Sequence, residues 1–337
     1  MRNIYDLTIK ELEDYFISIN EKKFRAVQVY EALYKRRVTS FDDMANISKE
    51  VREKLKQDFS FYKIKMLVKQ QGKNVNKYLF ELEDGNKIES VLMFHDYGTS
   101  ICVSSQVGCN MTCAFCESGR LKKVRNLLAY EIVQQILQIE EDINKRITHV
   151  VLMGIGEPFD NYDNVLRFVK IINCGKGIDI GSRHITISTC GVIPGIKKFM
   201  NEEGQVNLAI SLHAPNNTLR SRIMPINKAY PLNELMETIK EYINKTNRRV
   251  TFEYIMLDNV NDSEENAKEL ALLLKGINCY VNLIPYNETE NIKFKRTKEW
   301  KIMKFYDILK KNKINVTIRK EFGGSVDAAC GQLRANN

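Results

Sequence analysis

The sequence predicts an α/β fold: a partial (β/α)6 TIM-type barrel with a small N-terminal helical accessory domain and a β extension. From about residue 99, strand-like apolar runs alternate with helical segments, and repeated β-α units are typical of parallel barrels. The first sixty residues instead show only helical patterns. We therefore predict a helical accessory domain at 1–60, a β extension at 61–98 and the barrel at 99–333.

The accessory domain is expected to hold helices at about 8–19, 23–36 and 48–58, the first opened by the capping box Thr8-Ile-Lys-Glu11. Its second helix is basic, with six Lys or Arg against two Glu between Glu21 and Arg37. Such a stretch is compatible with a solvated helix face and with an RNA-binding surface. Both interpretations stay open.

The β extension is predicted from strand-like stretches at about 62–70, 77–83 and 87–94. Glu83-Asp-Gly85 separates the last two, and an Asp-Gly pair is typical of a hairpin turn.

The barrel strands are predicted from mostly β-branched or apolar runs, as strands buried on both faces require. They lie at 100–105, 149–154, 184–189, 206–212, 250–257 and 280–285. The helical patterns lie at about 129–142, 163–173, 194–203, 231–245, 263–275 and 297–312. A doubly wound sheet is the alternative, but no G-x-G-x-x-G sequence follows the first strand.

Polar and glycine-containing signatures follow these strands one after another. They are the cysteine-rich loop, Gly154-Ile-Gly-Glu-Pro158, Ser188-Thr-Cys-Gly191, Ser211-Leu-His-Ala-Pro215 and Ile284-Pro-Tyr-Asn287. Each alone is compatible with a turn or a helix cap. Because the carboxyl ends of barrel strands form the catalytic rim, five signatures on one rim predict a functional site there.

The composition indicates a folded chain, with 44% hydrophobic and 28% charged residues among 337. Charges recur throughout the first residues, and no apolar run approaches the roughly 20 residues of a membrane helix. We therefore expect a cytoplasmic protein with no membrane association. The net charge of +9, from 51 Lys and Arg against 42 Asp and Glu, favours a nucleic-acid partner.

Three of the eight cysteines fall within Gly108-Cys-Asn-Met-Thr-Cys-Ala-Phe-Cys116. This C-x3-C-x2-C spacing supplies three thiolates with no fourth Cys or His close by. A 4Fe-4S cluster held by three cysteines has one iron without a protein ligand, and that iron can bind a small molecule. The alternative is a structural zinc site completed by a distant ligand such as His149 or Cys102.

The motif resembles the signature of the radical S-adenosylmethionine (radical SAM) enzymes, including the aromatic Phe115 before the last cysteine. The resemblance implies that Cys109, Cys113 and Cys116 hold a 4Fe-4S cluster whose open iron chelates the methionine moiety of S-adenosylmethionine. It further implies that the cluster, reduced by a donor such as flavodoxin or ferredoxin, cleaves the sulfonium to a 5′-deoxyadenosyl radical.

The C-terminal segment narrows the resemblance, with the sequence Val316-Thr-Ile-Arg-Lys-Glu-Phe-Gly-Gly-Ser-Val-Asp-Ala-Ala-Cys-Gly-Gln-Leu333. Together with the strand-end motifs it is similar to the RlmN/Cfr family of radical SAM rRNA adenosine methyltransferases, over almost the whole chain. The resemblance implies a monomer that methylates adenosine 2503 of 23S rRNA and, as in parts of the family, adenosine 37 of tRNA.

The resemblance also implies three chemical roles. Cys330 matches a cysteine that one S-adenosylmethionine methylates, and a second S-adenosylmethionine then yields the radical that takes a hydrogen from the S-methyl group. Cys102 matches the residue that resolves the protein–RNA adduct, leaving a transient Cys102–Cys330 disulfide, and Glu89 matches the proton acceptor. The residues alone allow a free thiol at 330, a buried strand cysteine at 102 and a solvent-facing glutamate at 89.

The remaining matches are contacts to S-adenosylmethionine, in which Gly156 allows close backbone approach and Glu157 pairs with the ammonium. The others are Ser188, Ser211, Leu212, His213 and Asn287. No functional position matches Cys174, Cys190 or Cys279, which are expected to be structural.

Two outcomes differ within the family, methylation at carbon 2 of adenine (RlmN type) and at carbon 8 (Cfr-type antibiotic resistance). Pro158, Ala214 and Pro285 resemble the carbon-2 branch, which we expect. Glu117-Ser-Gly119 and Glu288 depart from the family pattern and leave the substrate detail open. From another class, a non-catalytic RNA-binding protein with a structural metal is the alternative.

Overall fold

The computed structural model describes residues 1–319 and 331–333. The N-terminal part contains β1 (Arg2–Asn3), α1 (Ile9–Ser18), α2 (Phe24–Tyr34), α3 (Lys49–Asp58), β2 (Phe59–Ser60), β3 (Lys65–Gly72), β4 (Val75–Glu81) and β5 (Lys87–His95). The rest contains β6 (Gly98–Cys102), β7 (Gln106–Val107), β8 (Arg125–Asn126), α4 (Ala129–Ile143), β9 (His149–Leu152), α5 (Tyr162–Asn173), β10 (Ile185–Thr189), α6 (Ile193–Phe199), β11 (Asn207–Ser211), α7 (Asn217–Ile223), α8 (Leu232–Thr246), β12 (Val250–Met256), α9 (Glu264–Leu273), β13 (Cys279–Pro285), α10 (Glu299–Lys311) and β14 (Val316–Ile318).

One sheet organises the molecule, with the strand order β14-β13-β12-β11-β10-β9-β6-β5-β4-β3. The strands from β6 to β14 in this order pair in parallel, whereas β5, β4 and β3 continue the sheet antiparallel. Helices follow each of the six predicted barrel strands before the chain returns to the sheet. The predicted partial barrel with its β extension is therefore confirmed.

Two elements of the barrel were not predicted. β14 adds a seventh parallel strand, but it has only three residues, too few for a recognisable pattern. Helix α7 has seven residues and begins after Asn216, whose side-chain oxygen accepts a hydrogen bond from the Leu219 N–H at 2.9 Å. A capped helix of about two turns shows little periodicity, so its cap was the one signal available in the sequence.

The alternation along β12 shows how a strand serves both the core and a site. Phe252 and Tyr254 are fully buried in the main apolar core. Glu253 and Ile255, between and after them, line a cavity inside the barrel. Successive side chains of a strand point to opposite faces, so this barrel interior receives polar groups that a purely apolar core would exclude.

The N-terminal helices are joined to the barrel by half-buried polar contacts. The capping box at Thr8 is present, with the Glu11 carboxylate accepting from the Thr8 N–H at 2.9 Å. The same carboxylate accepts from Arg167 on α5 at 2.5 Å and 2.6 Å. Burial alone would raise the pKa of Glu11, but these bonds and one from Arg2 lower it to about 2.

The basic stretch around α2 is largely paired within the protein. Salt bridges join Lys23 to Glu13, Arg25 to Glu21, Lys35 to Glu31 and Arg37 to Glu140. The pairs therefore reduce the charge that this stretch offers to a polyanion.

The predicted hairpin turn at the end of β4 is present, with Gly85 at a φ of +79°. The Gly85 N–H donates to the Leu82 carbonyl at 3.0 Å. Among the described helices, none has the length and apolarity that crossing a bilayer requires.

Candidate active site

A cavity opens at the carboxyl ends of the parallel strands. It holds about 830 Å³ of empty space, part of it open to solvent. Eight residues singled out in the sequence line it together: Cys109, Cys113, Cys116, Gly156, Glu157, Ser188, Ser211 and His213. The structure thus brings all five strand-end signatures to one place, the fifth of them through Ile284.

Five of the predicted site residues are not in this lining. Leu212 is fully buried, and Asn287 is half-buried just after β13. Glu89 and Cys102 are buried on β5 and β6. Cys330 lies outside the described residues.

The cysteine loop spans the connection between β7 and β8, which pair antiparallel at its base. Gly108 opens it at a φ of +73°, and a Cβ there would lie 2.2 Å from the Lys122 carbonyl oxygen. The Cys109 N–H donates to the Leu121 carbonyl at 3.0 Å, and the Ala114 N–H donates to the Ile223 carbonyl at 2.9 Å. The loop is therefore closed on itself and fixed to the end of α7.

The three thiols of the loop fit an iron–sulfur cluster. Burial, with smaller contributions from neighbouring thiolates and acids, raises the pKa of Cys109 to about 12 and that of Cys113 well above its usual range. The thiolate is the form that binds iron, and in this environment it needs a cationic partner such as the cluster. Cys109, Cys113 and Cys116 would hold that cluster.

The zinc alternative is not supported. Among residues 1–319 and 331–333, no three His, Cys, Asp or Glu side chains could hold a single metal ion. His149 begins β9, at the opposite end of the parallel strands from the cysteine loop. A cluster, in contrast, binds each thiolate to a different iron and does not need the sulfurs to converge on one ion.

Glu157 is buried at the cavity wall with both carboxylate oxygens engaged. They accept hydrogen bonds from the Phe159 N–H at 3.0 Å and the Cys190 N–H at 2.8 Å. Burial raises the pKa of Glu157, and these bonds oppose the rise. A carboxylate has about four lone-pair sites, so Glu157 can still accept from a ligand.

Gly156 is required by packing before any ligand is considered. Its φ is +108°, and a Cβ would lie 2.6 Å from the Gln106 Cβ. The Gln106 side-chain oxygen also accepts from the Glu157 N–H at 2.9 Å. Sequence reasoning did not single out Gln106, which holds this signature in place from strand β7.

His213 is a neutral imidazole in the cavity wall. Its Nδ1 accepts a hydrogen bond from the Ile255 N–H at 3.0 Å, so the ring proton is on Nε2. Burial, assisted by the positive charge of Arg220, lowers the pKa of His213 to about 3. The ring packs edge-on against Phe115 of the cysteine loop, with centroids 4.8 Å apart.

Comparisons with known proteins identify the family. Residues 2–60 match the family model described as the ribosomal RNA large subunit methyltransferase N-terminal domain, and residues 103–271 match the radical SAM superfamily model. A protein of Spiroplasma citri described as "Probable dual-specificity RNA methyltransferase RlmN" is 54% identical over 341 residues, covering 100% of this chain and 98% of the relative. The chain belongs to the RlmN family of radical SAM RNA methyltransferases.

Other RlmN-family relatives agree. The proteins of Enterococcus faecalis and Geobacillus kaustophilus with the same description are 54% and 53% identical, cover 99% of this chain, and are themselves covered to 96% and 92%. A crystal structure of a radical SAM methyltransferase from Sphaerobacter thermophilus superposes with a TM-score of 0.94 at 40% identity, covering all of both chains. The prediction of a radical SAM enzyme is confirmed, and the family implies a 4Fe-4S cluster and S-adenosylmethionine.

Glu89, expected from the sequence to be a proton acceptor, lies in a buried ion pair. Glu89 accepts from the Lys77 ammonium at 2.8 Å, and both side chains are almost fully buried. Leu79 is the direct cross-strand neighbour of Glu89, so Lys77 lies diagonally on the same face of the sheet. The solvent-facing alternative for Glu89 is therefore wrong.

Cys102 is buried at the end of β6, in a small apolar cluster that also contains Leu333. Leu333 is anchored by its carbonyl, which accepts from the Ser118 hydroxyl at 2.7 Å. The cysteines among the described residues form no disulfide with one another. The expected disulfide is therefore not supported, and its other member, Cys330, is outside the described residues.

Arg220 is a further residue of the site that sequence reasoning missed. Its guanidinium is fully buried and donates to the carbonyls of Cys190 at 2.7 Å, Ser211 at 3.2 Å and Leu212 at 3.2 Å. It also donates to the Asn227 side chain at 3.0 Å. From the sequence, an arginine on a short helix is expected at the surface. No local signal therefore indicated that Arg220 donates hydrogen bonds to the carbonyls of the cavity wall.

Proposed function

We propose that this chain methylates carbon 2 of adenosine 2503 in 23S rRNA, and adenosine 37 in tRNA, through an S-methylcysteine at Cys330 and with two S-adenosylmethionine molecules per turnover. Its relatives are described as dual-specificity RNA methyltransferases, which supports RNA as the substrate class. We further propose a cytoplasmic monomer that takes electrons from flavodoxin or ferredoxin.

The observation that carries the proposal is the position of Gly331, the residue after Cys330. Gly331 lines the cavity, and its carbonyl accepts from the Glu117 N–H in the cysteine loop at 2.7 Å. The chain next to the proposed methyl carrier is thus tied to the residues proposed to hold the cluster. Such proximity is what transfer of a methyl group from S-adenosylmethionine bound near the cluster to the Cys330 sulfur requires.

When bound, the cluster and S-adenosylmethionine would supply a carbon-centred radical inside the barrel. The chain's own residues would position the reactants and exclude water. Glu157 would accept from the methionine ammonium, and the Nε2–H of neutral His213 would donate to the cofactor. Because Ser118 holds Leu333 and Glu117 holds Gly331, the segment after Cys330 is fixed from two sides.

A radical route suits the proposed target atom. Carbon 2 of adenine is electron-poor and has no lone pair that could attack a sulfonium, so a polar methyl transfer is not available. Loss of the carbon 2 hydrogen as a proton needs an acceptor, and Glu89 would take that proton. The ion pair with Lys77 keeps a buried carboxylate there with its counter-charge.

RNA would approach the cavity from the rim of the barrel. We propose that residues 1–60 form the accessory RNA-binding domain, as a helical unit fixed to the barrel through Glu11 and Arg167. Insertion of a base into the cavity requires unstacking that costs a few kcal/mol. Naked or partly assembled ribosomal RNA is therefore the expected substrate, and equal activity on intact large subunits would contradict this.

Nucleoside mass spectrometry tests the proposal. Reconstituted enzyme, S-adenosylmethionine and a reductant are incubated with 23S rRNA or tRNA, and the products are compared with authentic 2-methyladenosine and 8-methyladenosine. We expect 2-methyladenosine, absent with Cys330→Ala and retained with the matched control Cys174→Ala. Both variants should keep their iron content. Formation of 8-methyladenosine, or full activity of Cys330→Ala, would contradict the proposal.

A further inference from the structure

The side chain of Glu253 carries a buried carboxyl group in the cavity that the proposed function does not use. Glu253 lies in the middle of β12, beside Ser211 on β11 and Asn282 on β13. Its side chain is about 5% exposed and lines the cavity. The Glu253 carbonyl accepts hydrogen bonds from the N–H groups of Leu212 and His213 at 3.0 Å and 3.3 Å. These bonds fix the backbone of Glu253 to the strand-end signature that follows β11.

Within residues 1–319 and 331–333, one of the two carboxylate oxygens finds a hydrogen-bond donor and the other does not. Oε1 accepts from the Asn282 side-chain amide at 2.9 Å. Oε2 is buried and accepts no hydrogen bond from the described residues. A buried acceptor left without a donor costs about 1–3 kcal/mol, and more when it carries charge. A ligand donor in the cavity would remove this penalty.

The residues around Oε2 indicate which kind of ligand group could donate the hydrogen bond. The Arg319 guanidinium lies 4.0 Å from Oε2, beyond hydrogen-bond distance but close enough to balance the charge. A second full cation at this oxygen would be repelled by Arg319, whereas a neutral hydroxyl would not. Ile255 and Ile284 provide an apolar wall of the same cavity, which suits the flat face of a base attached to a hydroxylated sugar.

We propose that Oε2 of Glu253 accepts a hydrogen bond from a ribose hydroxyl of a nucleoside bound in the cavity. A carboxylate is a common partner of ribose hydroxyls in nucleotide sites. The inference rests on the proposed function, which brings two ribonucleosides to the cavity: the adenosyl group of S-adenosylmethionine and the target adenosine of the RNA. Both offer the same chemistry to Glu253.

The test measures binding to the full-length holoenzyme with its cluster oxidised, so that the cofactor is not cleaved. Calorimetry gives the affinities of wild type and Glu253→Gln for S-adenosylmethionine and for its 2′-deoxy and 3′-deoxy analogues. If the cofactor ribose is the partner, Glu253→Gln binds S-adenosylmethionine about tenfold more weakly, since a charge-assisted bond is lost. One of the two deoxy analogues then binds wild type about tenfold more weakly than S-adenosylmethionine does. Wild type and Glu253→Gln bind that analogue with equal affinity.

The RNA arm uses an oligonucleotide of the target stem-loop, with a ribose or a 2′-deoxyribose at the target adenosine. If the RNA ribose is the partner, the deoxy change weakens binding to wild type and leaves binding to Glu253→Gln unaltered, while cofactor affinity stays the same. Glu140→Gln is the matched control, because Glu140 is a buried carboxylate before the amino end of β9, where it accepts from the Ile147 N–H at 2.7 Å. Glu140→Gln should leave the affinity for S-adenosylmethionine unchanged, and its RNA affinity should keep the same dependence on the 2′-hydroxyl as that of wild type.

Two results would overturn the inference. One is wild-type affinity of Glu253→Gln for both ligands. The other is an equal loss for ribose and deoxyribose ligands, which would indicate a structural role for Glu253. Melting temperature and cluster absorbance of each variant are measured in parallel. Failure of wild type to bind S-adenosylmethionine at all would instead contradict the proposed function.

Discussion

Arg220 should be the residue whose loss most damages the cavity wall. Replacement by Met removes the donors to the carbonyls of Cys190, Ser211 and Leu212, which are strand-end residues around the proposed cofactor. Each buried carbonyl left without a donor costs about 1–3 kcal/mol. Release of a buried charge offsets part of this sum, so we expect a net loss of roughly 3–6 kcal/mol in the free energy of unfolding.

Thermal unfolding of the reconstituted protein measures this loss. With an unfolding entropy of about 2 cal/mol/K per residue, roughly 3–6 kcal/mol in a chain of this length lowers the melting temperature by about 4–9 °C. Arg222→Met on the same helix is the control, because Arg222 is exposed and should shift stability by less than about 0.5 kcal/mol. Equal melting temperatures for Arg220→Met and wild type would refute the reasoning.

Two further predictions concern the cysteine loop and pH. Gly108→Ala should lower the iron content after reconstitution, because its Cβ would lie 2.2 Å from the Lys122 carbonyl oxygen at a φ of +73°. Gly181→Ala is the control, since a Cβ there meets no other atom. Equal iron content in the two variants would contradict this prediction. For His213, burial lowers the folded pKa to about 3, so the unfolded chain binds the extra proton first as pH falls below about 6.5. As the pH falls from 6.5 to 3, the free energy of unfolding of wild type should therefore decline relative to that of His213→Asn, by at most about 1.4 kcal/mol per pH unit. Parallel pH profiles of unfolding for the two proteins would argue against a buried neutral His213.

The barrel could be predicted because its strands carry the pattern of burial on both faces, and the signatures follow each strand where the chain must turn. Strands β6 and β9 to β13 were expected within a few residues, as were helices α4, α5, α6, α8, α9 and α10. β14 and α7 were not, because three and seven residues are too short to show a period. The partial-barrel prediction thus depended on long, regular elements.

The site was predictable only where its chemistry is local in sequence. Cys109, Cys113 and Cys116 share one loop, so their spacing pointed to a cluster. Arg220 acts through carbonyls up to thirty residues away. The surroundings of the Glu253 carboxyl group come from Asn282 on the neighbouring strand β13 and from Arg319 just after β14. Such partners become visible only when the sheet is formed. An acidic residue inside a doubly buried strand was the one available signal for Glu253.

The most direct test of the proposed mechanism follows the methyl hydrogens. The enzyme is incubated with S-adenosylmethionine carrying a trideuterated methyl group, and the mass of the methyladenosine released from 23S rRNA is measured by mass spectrometry. If Cys330 is methylated first and its S-methyl group then loses one hydrogen atom to the radical, the product methyl group carries two deuterium atoms and one hydrogen. A product that retains all three deuterium atoms would show direct transfer of an intact methyl group and would contradict the role of Cys330.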